Sequence, residues 1–137
     1  MSRRLRASVI VVGFLAAGVA YAGSQESAAI EAADEWLALV DAGEFETSWE
    51  RTASLFQDAV SASEWEASVT AARRPFGAFV SREVLSAELR TSLPGAPDGE
   101  YVVIQYRAAY ENKQAAVETV TPMRDGGEWK VSGYYIK

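Results

Sequence analysis

The chain has 137 residues, 49% of them apolar, with 19 acidic and 13 basic residues and neither histidine nor cysteine. That length accommodates one ordinary domain. The missing residue types exclude a Ser-His triad, a histidine base, the usual metal ligand, a disulfide and the cysteine that a lipoprotein anchor requires.

The first residues read as an export signal. Arg3, Arg4 and Arg6 form a positive start, Ser8 to Ala20 is an apolar run too short for a comfortable membrane span, and Ala20-Tyr21-Ala22 is a small-x-small cleavage site. Residues 1–22 are therefore expected to be a signal peptide. The mature domain begins at Gly23, is periplasmic or secreted, and has no membrane association once the signal is removed. An uncleaved N-terminal anchor is the other reading. All acidic residues follow Gly23, so ten basic residues stand against 19 acidic ones and the mature net charge is −9. With no Lys/Arg cluster, neither nucleic acid nor an anionic membrane surface is an expected partner. Solubility is reason enough for the acidity.

Three helical segments come next. Ser27 to Asp41 sets Ile30, Ala33, Leu37 and Val40 on one stripe with Trp36 beside it, and Gly43 stops it. A second segment carries Phe45, Trp49, Phe56 and Val60, with a break plausible around Thr52 and Ser54. A third starts at a Ser63-x-x-Glu66 capping-box pattern, buries Trp65, Val69 and Ala72, places Arg73 and Arg74 favourably in its last turn, and ends at Pro75 and Gly77. The acidic run Asp34, Glu35, Asp41, Glu44, Glu46 and Glu50 lacks calcium-loop spacing and reads as a solvated helix surface.

Four strands follow. Phe79 to Arg90 is the first, a loop with two prolines and two glycines spans Leu93 to Gly99, and Tyr101 to Tyr110, Ala115 to Arg124 and Glu128 to Ile136 complete the set. A hairpin tip at Asn112-Lys113 sets Glu118 opposite Arg107, and a three-residue loop at Asp125 to Gly127 sets Arg124 opposite Glu128. One face then collects Val102, Ile104, Tyr106, Ala108, Val117, Thr119, Thr121, Met123, Trp129, Val131, Gly133 and Tyr135. The other collects Gln105, Arg107, Glu118, Lys130, Ser132 and Tyr134. The expected architecture is α+β: three N-terminal helices packed on a curved antiparallel sheet of about four strands, one cone-like domain over residues 23–137.

The order of three helices then strands resembles the nuclear transport factor 2-like (cystatin-like cone) superfold. More closely, the chain resembles a family of small exported bacterial proteins known as domain of unknown function 4019. The resemblance is carried by Trp36-Leu37 with Val40-Asp41 and Gly43, Ser48-Trp49, Trp65, Arg74-Pro75-Phe76-Gly77, Ser81-Arg82, Leu93 to Tyr101, Lys113, Glu118 to Thr121 and Trp129 to Ile136. It implies the fold and export, and no activity.

On that reading the interior offers tyrosines and threonines but no carboxylate from the last three strands. Gly133 opposite Thr119 leaves a gap that Trp36 or Trp49 could wall. Trp36, Trp49, Tyr106, Thr119 and Tyr135 are therefore the pocket candidates, for an unidentified small apolar ligand or protein partner, against the plainer reading of a filled core. No catalytic residue, metal ligand or cofactor is expected. Arg107 with Glu118 reads as an exposed cross-strand pair, and Ser81-Arg82 as an edge patch. The expected function is a non-catalytic binding or protein-interaction module. The alternatives are an isomerase- or dehydratase-type enzyme using a tyrosine with Asp41 or Asp34, and an assembly partner that homodimerises through the outward sheet face by Tyr134 and Ile136.

Overall fold

The computed structural model describes residues 23–137; the expected signal peptide and its cleavage site after Ala22 lie outside them. Helix α1 (Ser24–Asp41) is followed by α2 (Phe45–Glu50), α3 (Ser54–Ala59), α4 (Ala62–Arg73) and a 3-10 turn at Arg74–Phe76. Strands β1 (Phe79–Arg90), β2 (Tyr101–Tyr110), β3 (Lys113–Asp125) and β4 (Glu128–Ile136) form one antiparallel meander in the order β1-β2-β3-β4. The fold is α+β, as expected, with helices first and a curved four-stranded sheet after them.

The helical part has four helices rather than three. The expected second segment breaks at Thr52 and Ala53, where the backbone leaves the helix to bond elsewhere. Thr52 Oγ1 donates to the Trp49 carbonyl, and the Ala53 N–H donates to the Val131 carbonyl of β4 at 2.8 Å. The Asp125 carboxylate then accepts both the N–H and the hydroxyl of Ser54, capping α3 from the far end of β3. These two bonds hold Asp125 below the usual carboxylate range. The capping box of α4 is Ser61 with Glu64, not Ser63 with Glu66; Ser61 accepts the Glu64 N–H while Glu64 reaches back to the Ser61 N–H.

Helix α1 buries Ala29, Ala33, Trp36, Leu37 and Val40 against the inner face of the sheet, where Val102, Ile104, Tyr106, Val120 and Val131 meet them. Trp65 and Val69 of α4 close the same core. Tryptophan brings one polar atom into this apolar layer, and each finds a partner. Trp36 Nε1 donates to the Ser48 carbonyl, Trp65 Nε1 to the Ser48 hydroxyl and Trp49 Nε1 to the Val60 carbonyl, all at 2.9 Å. The hydroxyl of Ser48, fully buried, in turn donates a hydrogen bond to the Phe45 carbonyl.

The sheet register differs from the expected one by a residue. The tip of the β2–β3 hairpin is Glu111-Asn112, with Tyr110 opposite Lys113, and below it Arg107 faces Val117 and Tyr106 faces Glu118. The tip is fixed by the 3-10 turn: the Asn112 N–H donates to the Phe76 carbonyl and the Glu111 N–H to the Ala78 carbonyl, both 2.8 Å. Gly77 lies between them at φ 77°, and a Cβ there would stand 2.9 Å from Asn112 Nδ2, so glycine is required for this approach. At the β3–β4 turn, Asp125 faces Glu128 across Gly126-Gly127.

A one-residue slip exchanges the two faces of a strand. In β3 the buried residues are Ala116, Glu118, Val120 and Pro122, while Val117, Thr119, Thr121 and Met123 lie on the outer face. β4 keeps Val131 inward as expected. An extra residue at Ser132-Gly133, between the Pro122–Val131 and Val120–Tyr134 pairs, then turns Tyr134 inward and Tyr135 outward. β2 needs no correction: Val102, Ile104, Tyr106 and Ala108 are buried, and Gln105 and Arg107 are exposed.

Ser48→Ala leaves the Trp65 indole N–H buried without an acceptor. The expected loss is about 1–3 kcal/mol of unfolding free energy in urea titration, and an unchanged midpoint contradicts this account of the tryptophan layer.

Candidate functional site

Glu118 organises the interior on the side of the sheet covered by α1 and α4. It is fully buried. Oε1 accepts from Arg82 Nε at 2.9 Å, with Arg82 Nη2 in ion-pair contact at 2.8 Å. Oε2 accepts from Arg73 Nη2 at 3.1 Å, from the Tyr110 hydroxyl at 2.9 Å and from the Tyr134 hydroxyl. Asp41 completes the ring by accepting from Arg73 Nη1 at 2.8 Å and from both terminal nitrogens of Arg82. Arg73 Nε donates to the Tyr134 oxygen at 3.1 Å. Two guanidinium groups thus face two carboxylates, so the buried charge balances, and every strand and the two longest helices contribute a side chain.

Burial lowers the pKa of Arg73, but the fields of Tyr134 and Tyr110 and the bond to Asp41 outweigh it, and the net shift is upward. Burial likewise opposes the charge on Arg82, and Asp41 and Glu118 overcome it. The arginines also lie over aromatic rings: Arg82 is 4.1 Å from the Phe79 centroid and Arg73 is 5.4 Å from that of Tyr110. Oε2 accepts three hydrogen bonds, and Oε1 is held against two nitrogens of Arg82. To take a proton from a substrate, this carboxylate would have to break the ring that keeps it buried.

A second polar pair lies nearer the surface. The Tyr106 hydroxyl donates to Asp34 Oδ1 at 2.8 Å, beside a recess of about 200 Å³ lined by Asp34, Arg82, Val84 and Tyr106. Burial first, then Asp34, pushes the Tyr106 pKa upward, so its hydroxyl holds its proton at neutral pH. A larger recess of about 520 Å³ opens between α1, the end of α2 and the start of β4, with Trp36 and Trp129 among its walls and Glu35, Glu50, Arg51, Glu128 and Lys130 around it.

The expected pocket residues do not share one wall. Trp36 is in the core, Tyr106 is on the inner face bonded to Asp34, and Trp49 is half-buried. Thr119 stands on the outer face opposite Gln105, and Tyr135 is 62% exposed. Gly133 opens no gap in the inner face: it stands beside Thr121 on the outer face, where an added Cβ would fit in ordinary contact. Glu118 and Tyr134 were expected outside and are inside. Arg82, read as an edge patch, and Asp41, read as solvated, belong to the buried ring, as does Arg73. The signal for them is the alternation Ala116-x-Glu118-x-Val120, an apolar inner face with one carboxylate in it. Such a face is acceptable only if cations meet the carboxylate from elsewhere in the chain.

A family model described as protein of unknown function, DUF4019, matches residues 32–134. No curated protein and no solved structure matches the chain.

Glu118→Gln removes one buried charge and leaves Arg73 and Arg82 sharing the single carboxylate of Asp41, at an expected cost of about 3–5 kcal/mol. Arg107→Gln, on the exposed outer face, should change stability by less than about 0.5 kcal/mol. Equal effects of the two would contradict the register. The buried tyrosines add an alkaline limit. Burial, then the Glu118 charge, raises Tyr110 to about 12 against the opposing effect of Arg73, and the same two causes push Tyr134 higher still. A tyrosine raised in the folded state adds stability that is whole below its ordinary value of about 10 and is lost as pH climbs through the folded value. Tyrosinate absorbance from these residues should therefore appear only above about pH 11 and together with loss of circular dichroism. Full ionisation in a still-folded protein contradicts the ring.

Proposed function

As the chain belongs to the DUF4019 family, we propose that it is an exported, non-catalytic protein-interaction module of the cystatin-like cone type, held rigid by its buried ion ring. One observation carries this reading. The carboxylate deepest in the concave interior, Glu118, accepts four hydrogen bonds from its own chain, with a further ion-pair contact to Arg82, and is closed to solvent. Where related architectures would keep a reactive acid in an open cavity, this interior is spent on structure.

Binding is then a property of the outside. The recess between α1 and β4 mixes carboxylates, two cations and indole surface, which suits a polar protein surface better than a small apolar ligand. Export is supported by the positive, apolar and small-residue order of the first 22 residues.

A second reading rests on the Tyr106–Asp34 pair, a hydroxyl and a carboxylate beside an open recess, which is the tyrosine-plus-helix-acid combination that an isomerase or dehydratase would use.

Two measurements test the proposal. Intact mass of the protein recovered from a periplasmic fraction should correspond to a chain starting at Gly23; full-length protein held in the inner membrane contradicts the export reading. With the mature domain as bait in its own host, Lys130→Glu with Arg51→Glu should lose a protein captured by the unaltered domain while its thermal unfolding stays unchanged. Retention of that partner, or of a small molecule in native mass spectrometry, removes the recess as the binding surface. A reaction abolished by Tyr106→Phe without loss of fold would replace the proposal with the enzymatic reading.

A further inference from the structure

We draw no further inference here: the strongest candidate, the row of exposed apolar side chains Val80, Leu85 and Leu89 along the β1 edge of the sheet, two of them at its register shifts, is an unpartnered apolar patch, and nothing in the structure shows what covers it.

Discussion

Glu118 sits where the sheet is most deeply covered, and the placement of the surrounding elements follows from what a buried carboxylate demands. An isolated charge in an apolar interior is prohibitively costly, so it must be met by cations and by enough donors to occupy its oxygens. Arg73 from the last turn of α4 and Arg82 from the start of β1 supply the charge, and Tyr110 and Tyr134 supply the remaining donors. Asp41, at the last residue of α1, binds both arginines and so fixes the end of the longest helix relative to β1 and α4. A ring of this kind resists sliding of the helices over the sheet, because any shift breaks several charge-assisted bonds together.

The rest of the core is compatible with that ring rather than independent of it. The parity that brings Glu118 inward also brings Ala116, Val120 and Pro122 inward, and small or compact residues there leave room for the arginine side chains and tyrosine rings. The added residue at Ser132-Gly133 lets β4 present Val131 to the helices and still deliver the Tyr134 hydroxyl to Glu118. Specificity is therefore concentrated in the polar part of the interior, while the tryptophan layer around Ser48 supplies bulk apolar contact with its indole protons satisfied. The concave face is thus filled largely by the protein's own side chains, and the open recesses lie at its margins.

Much of this was legible in the amino-acid sequence. Strand positions 79–90, 101–110 and 128–136, the inner face of β2 and the apolar stripe of α1 all follow from periodicity, because burial there is decided by apolar residues. The register of β3 was not legible, for a physical reason. An Arg107–Glu118 cross-strand pair looks favourable, yet exposed pairs contribute only about 0.2–1 kcal/mol. The alternative parity requires Arg73, Arg82 and two tyrosines that are 8 to 45 residues away from Glu118, and local pattern carries no trace of such distant partners. The break expected around Thr52 and Ser54 is there, but its partner, the Val131 carbonyl that takes the Ala53 N–H, was beyond local pattern for the same reason. The candidate pocket set comes apart with the register: once Thr119 and Tyr135 turn outward, Trp36 and Tyr106 remain on the inner side at the walls of two separate recesses.

The central claim is that Glu118 and its arginines act as one unit that holds helices to sheet. A double-mutant cycle between Glu118→Gln and Arg82→Gln, read by urea unfolding, tests it most directly. The account predicts that the double variant is more stable than the sum of the two single losses implies, with a coupling of about 1–3 kcal/mol, because each single change strands a buried charge that the other removes. Strictly additive losses would contradict it.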